Sequence, residues 1–333
     1  MTFQHQPVLL GQTVEIIAGC NPARILDGTL GGAGHSSELL KRLPDATLLG
    51  IDRDQVALQA AAQKLQPYQD RTKLVQATFS QMTQVANKIG WTSVDAILLD
   101  IGVSSPQIDT PERGFSFRQD GPLDMRMNKN DAVTAADILN TSTQEDLETI
   151  IRDYGEERKA RQIARAIVKR RERSPWRNTR ELAQLVEDVV GFKNQHGLPP
   201  ATRTFQALRI AVNHELEELE NALPSAIRLL SPGGVIAVIT FHSLEDRIVK
   251  QTFQHEAATC VCPPKMPLCT CNKIQTLELI TKKPITADED EIRQNPRSSC
   301  AKLRAARRTD QPTDKKPDNQ ESITNKSNLG RQQ

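Results

Sequence analysis

Residues 26–35 read Leu-Asp-Gly-Thr-Leu-Gly-Gly-Ala-Gly-His, and this stretch decides the fold of the chain. Its four glycines lie between the apolar pair Ile25-Leu26 and a helix-like run from Ser36 to Leu40. Glycine has no side chain to hold a ligand away from the backbone, and a helix start offers free N–H groups to polar or anionic atoms. The stretch therefore predicts a strand, a tight turn and a helix that bring backbone against a ligand.

A carboxylate follows the next predicted strand, Leu48 to Ile51, at Asp52. An acid at such a strand end accepts hydrogen bonds from both hydroxyls of a ribose. The glycine turn and Asp52 together indicate a nucleoside site on a doubly wound sheet. Residues 32–37 resemble the dinucleotide fingerprint, with Ser37 in the last place. These residues do not decide between a nicotinamide dinucleotide and S-adenosylmethionine, and a tight turn without a ligand remains the alternative.

The composition is that of an ordinary soluble chain of 333 residues, with 25% charged residues and a net charge of +2. Aromatic residues make up only 4%, which argues against a broad base-stacking platform. No apolar run approaches the ~20 residues of a membrane span, and residues 1–5 lack a secretory signal. We therefore expect a cytoplasmic protein without a membrane partner, and its six cysteines as reduced thiols.

Short apolar runs alternate with helix-like stretches through the first hundred residues. Such alternation predicts an α/β fold with a parallel sheet that is covered on both faces. Ligands bind at the carboxyl ends of the strands in these sheets. The groups at those ends are Asp27, Asp52, Phe79 and Asp100. Phe79 is predicted as an adenine contact from its position, with a plain core residue as the alternative.

The alternation stops after Asp100, and residues 101–133 are rich in turn-forming residues. A loop of this length inside a compact domain is usually functional or disordered. Its phenylalanines and arginines argue against disorder. We interpret this segment as the active-site loop, and structural wrapping is the alternative.

A helical region follows. Thr134 with Asp137, Thr143 with Asp146 and Asn178 with Glu181 are typical of helix N-caps. One helix is predicted from Glu156 to about Arg173, and another from Arg203 to about Leu223, where Pro224 stops or restarts it. After a turn at residues 231–234, the strand Val235–Thr240 resumes the sheet. We expect one catalytic domain interrupted by a smaller helical one.

Positive charge is concentrated between Arg158 and Arg180. This segment has ten Lys or Arg residues and one acid, Glu172, for a net charge of +9. Blocks of one sign in a nearly neutral protein favour contact with a polyanion, and phosphate contacts dominate nucleic-acid affinity. The segment predicts an RNA-facing surface, with a solvated helix face as the alternative.

Three features near the C-terminus are open to more than one interpretation. His242 follows the resumed strand, so it is either catalytic or structural. Cys260, Cys262, Cys269 and Cys271 have the composition of a zinc knuckle, but the C-x-C spacing is tight and prolines lie between the pairs. We expect a reduced surface loop and assign no metal ligands. Residues 277–282 and 301–305 predict a terminal hairpin, and residues 309–333 a disordered tail.

Several strings together resemble one known family. They are G-G-A-G-H-S at 31–36, L-L-D-I-G-V-S-S-P-Q at 98–107, R-G-F-S-F at 113–117, D-G-P-L-D-M-R-M at 120–127, Y-G-E-E-R at 154–158, A-T-R-T-F-Q-A-L-R-I at 201–210 and F-H-S-L-E-D-R-I-V-K at 241–250. From about His5 to Arg308 the chain resembles the RsmH (MraW) family of bacterial 16S ribosomal RNA cytosine methyltransferases.

The resemblance implies a class I methyltransferase fold, a Rossmann-like sheet with an inserted all-helical domain. It also implies S-adenosylmethionine as methyl donor, and methylation of the 4-amino group of a decoding-centre cytidine in 16S rRNA of the small ribosomal subunit. The expected divisions are residues 1–103 and 213–308 for the methyltransferase domain, 104–212 for the insertion and 309–333 for the tail.

The site residues implied by the resemblance lie at the predicted strand ends. Ala33, Gly34 and His35 would lie against the methionine part of the donor, Asp52 would hold the ribose, Phe79 would lie beside the adenine, and Asp100 and Gln107 would complete the pocket. The catalytic groups would be Asp100, Ser104 and Ser105, where backbone oxygens or side chains would accept an amine proton.

Two departures from known methyltransferase patterns stand out. The glycine motif reads D-G-T-L-G-G-A-G where many methyltransferases have D-x-G-x-G-x-G. Residues 104–107, Ser-Ser-Pro-Gln, lack the second proline and the aromatic residue of the D/N/S-P-P-Y/F/W motif. We therefore expect Phe115 or Phe117 to stack on the base. A nicotinamide-dependent oxidoreductase and a non-catalytic ribosome-assembly module that binds RNA remain the rival functions.

Overall fold

The molecule is built on one seven-stranded sheet. A computed structural model describes residues 7–191, 199–263 and 268–311. The strands are β1 (Arg24–Asp27), β2 (Thr47–Asp52), β3 (Thr72–Gln76), β4 (Val94–Asp100), β5 (Leu230–Thr240), β6 (Leu277–Leu279) and β7 (Lys302–Arg308). Their order across the sheet is β3-β2-β1-β4-β5-β7-β6. The first five are parallel, whereas β7 is antiparallel to both β5 and β6. The predicted alternation and the terminal hairpin are confirmed.

Helices connect and cover these strands. In the described residues they are α1 (Leu10–Ala18), α2 (Gly34–Arg42), α3 (Gln55–Lys64), α4 (Met82–Lys88), α5 (Ser105–Asp109), α6 (Ala135–Thr141), α7 (Gln144–Asp153), α8 (Ala160–Arg171), α9 (Thr179–Val190), α10 (Thr202–Asn213), α11 (Glu215–Leu229), α12 (Ser243–Ala257) and α13 (Glu289–Gln294). None of the helices in these ranges has the length and apolar character to cross a membrane.

Successive residues of each strand point to opposite faces of the sheet, so each strand contributes to two cores. Leu26 and Leu99 lie in the core under α4, α11 and α12. Their neighbours Ile25 and Leu98 lie in the other core, with α1, α2 and α3. Both faces are thus covered, which explains why five of the seven residues of β4 are buried and apolar.

The five helices α6 to α10 have a core of their own. Its buried residues run from Leu123 to Val212 and include Ile163, Ile167 and the fully buried Trp176. The helix predicted from Glu156 is α8, which is shorter at both ends. Because this cluster is separate from those of the sheet, we keep residues 104–212 as the proposed insertion.

Two helix boundaries differ from the prediction. The helix predicted to end at Pro224 instead breaks at His214, whose φ of 51° is in the left-handed region. Pro224 lies inside α11. Thr134 and Thr143 cap α6 and α7 as predicted, but Asn178 makes no side-chain cap bond to α9.

Two further segments also differ from the expectation. The turn predicted at residues 231–234 belongs to β5 as an irregularity, because Leu230 pairs with Val94 and Val235 pairs with Ala96. The active-site loop contains the short helix α5. Of the tail predicted to be disordered, residues 312–333 lie outside the described part of the chain.

Candidate active site

A cavity of about 730 Å³ opens at the carboxyl ends of β1, β2 and β4. It brings together eight of the nine residues predicted for the site, which are Gly34, His35, Asp52, Phe79, Asp100, Ser104, Ser105 and Gln107. Ala33 does not line it. The Ala33 side chain is fully buried among the apolar residues that α1 and α2 cover.

The glycine turn is held by the acid of the next strand. The Gly31 N–H donates to Asp52 Oδ2 at 2.7 Å, and the Asp54 N–H donates to Asp52 Oδ1 at 2.8 Å. Burial raises the pKa of Asp52 above its ordinary value. Both oxygens retain lone pairs for a ligand, since each carboxylate oxygen accepts more than one hydrogen bond. No atom of the described residues lies within 4 Å of a Cβ added at Gly32, so this position is open among them.

Asp27 supports the glycine turn without lining the cavity. Asp27 accepts from the Ser36 hydroxyl at 2.5 Å and from the Thr29 N–H at 3.1 Å. Burial raises the pKa of Asp27 to about 6. Asp27 is nearly inaccessible and is absent from the cavity wall, so it supports the turn. Gly34 begins α2, where a Cβ would come within 2.2 Å of Pro7 Cγ.

Asp100 and His35 lie side by side in the cavity wall. Asp100 Oδ2 lies 3.6 Å from His35 Nδ1, and His35 Nε2 lies 3.0 Å from the Val8 carbonyl oxygen. A carbonyl only accepts, so Nε2 carries a proton. Asp100 Oδ1 is buried and has no hydrogen-bond partner among the described residues. Burial, followed by the charges of Asp27 and Glu245, raises the pKa of Asp100 to about 8.

Residues 104–107 are fixed by Gln107. Its Oε1 accepts from the Ser104 N–H at 3.0 Å, and its Nε2 donates to Asp54 Oδ2 at 3.1 Å. Ser104 is therefore the N-cap of α5, and Ser105 is its first residue. The predicted cofactor contact Gln107 lines the cavity, but its amide is engaged in holding α5 against the end of β2.

Arg113 was not predicted for the site, yet it locks the active-site loop onto the sheet. Its guanidinium donates to Asp54 Oδ2 at 2.8 Å and to the carbonyl oxygens of Arg126 and Met127 at 3.0 and 2.8 Å. Arg113 is buried and lines the cavity. The interaction bridges residues far apart in the chain, so the only sequence signal was an arginine beside a glycine in the loop.

The aromatic residues of the cavity are not those expected for base stacking. Phe115 and Phe117 pack on the helical core, where Phe117 meets Phe205 with ring centroids 4.8 Å apart. Neither lines the cavity, whereas Phe79 and Phe241 do. Phe241 was missed because it follows β5, and only the pairing of β5 with β4 brings it to this edge.

His242 has a structural position. It is the N-cap of α12, and its Nε2 lies 3.0 Å from Glu245 Oε1. Burial alone would raise the pKa of Glu245, but His242 and then Arg209 hold that pKa below its ordinary value. Arg209 also forms a bidentate pair with Glu215 at 2.8 Å. His242 does not line the cavity, in agreement with the structural alternative.

The basic segment presents a row of exposed cations on α8 and just before it. Arg158, Arg161, Arg165 and Lys169 recur at intervals of three and four and are exposed. Three other cations are engaged internally: Lys159 with the Val189 and Val190 carbonyls, Arg170 with Glu181, and Arg171 with the Leu139 and Ser142 carbonyls. Glu156, just before this row, contacts Ser243 and Arg247, which follow the cavity residue Phe241.

The chain is similar to known proteins over most of its length. The chain is 49% identical over 309 residues to "Ribosomal RNA small subunit methyltransferase H" of Heliobacterium modesticaldum, covering 92% of this chain and 99% of that protein. The protein of the same name in Carboxydothermus hydrogenoformans is 49% identical over 306 residues, covering 92% and 98%. The solved rRNA methylase of Streptococcus thermophilus is 9% identical with a TM-score of 0.41, covering 92% and 99%, too low a score to support an argument.

A family model described as the MraW methylase family matches residues 2–309. With the strand order, this match confirms the class I methyltransferase fold. Because this is a family of methylases, the chain is an enzyme. Its cofactor is S-adenosylmethionine and not a nicotinamide dinucleotide. The chain belongs to the MraW methylase family.

Proposed function

We propose that this enzyme methylates the 4-amino group of a decoding-centre cytidine in 16S rRNA of the small ribosomal subunit. The relatives' name gives ribosomal RNA of the small subunit as their substrate, and the motifs at residues 98–107 and 120–127 support the cytosine amine. The observation that carries the proposal is Asp100 at the wall of the cavity, whose Oδ1 is buried and has no hydrogen-bond partner among the described residues. An acceptor in that position suits a site that holds a cationic methyl donor next to the amine of a base.

The residues of the cavity fit the cofactor. S-adenosylmethionine supplies a methyl group activated by a cationic sulfur when it is bound. The open position at Gly32 and the helix start at Gly34 and His35 suit its methionine part, while Asp52 offers lone pairs to the ribose. Phe79 supplies an apolar wall beside the adenine. Ala33 is buried in the core, so its part is limited to the shape of the turn.

The chemistry is a direct displacement. A cytosine amine is a weak nucleophile, so the enzyme has to align it with the methyl group, exclude water and accept an amine proton. Asp100 is our candidate for the acceptor, and Ser104 and Ser105 line the same cavity. Phe241 takes the base-stacking role expected of Phe115 or Phe117, since it lines the cavity and they do not.

The exposed row Arg158, Arg161, Arg165 and Lys169 would hold RNA phosphates. None of these four side chains forms an ion pair with another described residue. The row begins two residues after Glu156, whose partners Ser243 and Arg247 follow the cavity residue Phe241 in the chain. Phosphate contacts fix the position of an RNA without reading its sequence. An enzyme that acts on ribosomal RNA works where ribosomes assemble, so we also propose a cytoplasmic location.

The test is transfer of labelled methyl groups from S-adenosylmethionine to unmodified small ribosomal subunits and to naked 16S rRNA. The RNA is then digested to nucleosides and identified by mass spectrometry. We expect the label in N4-methylcytidine alone, at no more than one methyl group per subunit, with the donor alone as the blank. Label on a ring carbon or in another nucleoside would contradict the proposed chemistry, and the absence of transfer to either substrate would contradict the substrate.

A further inference from the structure

The four cysteines between α12 and β6 have a geometry that the methyltransferase function does not use. Their sulfur atoms all lie within 4.8 Å of one another. Cys269 Sγ lies 3.5 Å from both Cys260 Sγ and Cys271 Sγ and 3.9 Å from Cys262 Sγ, while Cys271 Sγ lies 3.8 Å from Cys260 Sγ. Four sulfurs bound to one zinc ion at 2.3 Å are separated by about 3.8 Å along each edge of the tetrahedron.

We propose that Cys260, Cys262, Cys269 and Cys271 bind one structural zinc ion. On sequence alone, the short C-x-C spacing and the prolines between the pairs favour a plain reduced loop. The structure brings the two pairs face to face, so each pair supplies one edge of a tetrahedron.

Apolar packing does not account for this convergence. The cysteines are exposed or only half-buried, and the large apolar neighbours Val261 and Leu268 are 47% and 77% exposed. Backbone N–H groups instead point at the sulfurs, with Val261 donating to Cys271 Sγ and Cys262 to Cys260 Sγ, both at 3.4 Å. Such donors stabilise metal-bound thiolates as an outer shell of hydrogen bonds.

Other uses of four thiols fit less well. The separations of 3.5 Å and more are far longer than a disulfide bond of about 2.0 Å. They also leave room for a single ion, not for a cluster of several iron and sulfide atoms. Tetrahedral sulfur sites select zinc or iron, and zinc binds such ligands more tightly than ferrous iron.

The position of the site indicates a structural role. Four protein ligands leave no open coordination position for a substrate. The site follows the C-terminal end of α12, whose 15 residues span about 22 Å, whereas Phe241 at the cavity precedes its N-terminal end. At the base of the segment, Thr276 donates its N–H to the Glu256 carbonyl at 2.9 Å, and Lys273 Nζ lies 3.3 Å from Glu256 Oε2. Zinc would join the pair Cys260 and Cys262 to the pair Cys269 and Cys271 in the same segment.

The first experiment measures metal content in the full chain purified without chelators. We expect one zinc per chain, and none in the double variant Cys260→Ser/Cys269→Ser. The matched control is Cys20→Ser/Cys300→Ser, which removes the two cysteines outside the cluster and should keep the zinc. Zinc retained by the first variant, or iron in place of zinc, would overturn the proposal.

The second experiment uses the wild-type chain, so it does not depend on a variant that folds. A chelator under reducing conditions should remove the metal and lower the melting temperature, and added zinc should restore it, because a ligand of the folded state stabilises that state. Cobalt should give the intense visible bands of a tetrahedral thiolate site. Binding of S-adenosylmethionine should not change. A chain that takes up neither ion under reducing conditions would refute the site.

Discussion

At the scale of single residues, Asp100 is placed where its charge is disfavoured. Burial, followed by the charges of Asp27 and Glu245, raises its pKa to about 8, and its Oδ1 has no hydrogen-bond partner among the described residues. Without a ligand, the neutral acid predominates near neutrality. A cationic donor bound beside it would favour the carboxylate and lower that pKa. The site is thus adapted to a positive ligand at some cost to the empty protein.

Replacing Asp100 by Asn should reduce methyl transfer by about 10²-fold or more, the lower range for loss of a general base. For the wild type, kcat/KM should rise with pH through about 8, because the carboxylate of the free enzyme is the active form. The variant should lack this rise. Turnover and donor affinity that both match the wild type would remove Asp100 from the site.

The same variant should be more stable than the wild type, although it is less active. Because folding raises the pKa of Asp100 from 3.8 to about 8, the stability associated with the neutral acid is present in full below pH 4 and is lost as pH rises through 8. Asp100→Asn should therefore melt at a higher temperature than the wild type at pH 9, with a smaller difference at pH 6. A difference that does not grow with pH would contradict the assigned burial.

Strand-end residues were predictable one at a time, whereas residues brought in by distant pairing were not. Asp52 and Asp100 follow apolar runs directly, so a sheet places them at one edge. Phe241 reaches that edge only because β5 pairs with β4. Ala33 shows the converse, since a residue inside a predicted turn turned its side chain into the core.

At the scale of elements, the active-site loop depends on the buried pair of Arg113 with Asp54. Replacing Arg113 by Gln leaves the Asp54 carboxylate buried without its cation, which costs about 3–5 kcal/mol for pairs of this kind. We expect lower stability in urea unfolding and a higher KM for the donor. Arg118→Gln, an exposed arginine of the same loop, is the matched control and should change neither.

A double-mutant cycle separates the pair from its surroundings. The double variant Asp54→Asn/Arg113→Gln should lose less stability than the sum of the two single variants. Each single variant leaves one buried charge unpaired, whereas the double variant leaves none. Additive costs would show that the two side chains do not interact.

The helix caps offer a second comparison between elements. Thr143 Oγ1 accepts from the Asp146 N–H at 3.1 Å, whereas Asn178 makes no side-chain cap bond. Thr143→Ala should reduce the free energy of unfolding by about 1 kcal/mol. Asn178→Ala should change it by only a few tenths, although both residues occupy cap positions. Equal losses in urea unfolding would contradict this distinction.

Periodicity predicted where helices occur better than where they end. The apolar spacing from Phe205 to Leu223 continues across His214, so nothing in the pattern marks the break. The break is fixed by tertiary contacts instead. Asn213 Nδ2 donates to the Met125 carbonyl at 2.8 Å, and Asn213 Oδ1 accepts from the Met127 N–H at 2.8 Å. Contacts with a loop so distant in sequence are invisible to a local pattern.

At the scale of the whole molecule, one surface is cationic while the chain is nearly neutral. Reversing Arg158, Arg161, Arg165 and Lys169 to Glu should weaken RNA binding and lower its salt slope by about 3, since each phosphate contact contributes about 0.7–0.9. Reversing Arg42, Lys73, Lys88 and Lys282, which are exposed elsewhere, changes net charge equally and should spare the slope. Equal slopes for both quadruple variants would make the row an ordinary solvated surface.

The pairing of β4 with β5 bears on how the chain acquires its shape during synthesis. β4 ends at Asp100, but its neighbour in the sheet begins only at Leu230, after the whole helical region has been made. Until then the nascent chain carries an uncovered strand edge, which is a template for mispairing. Of the intervening helices, α6 to α10 bury a core of their own, so they are able to collapse first as they emerge. Because β5 carries Phe241, we expect the cavity to be completed only late, once β5 docks against β4.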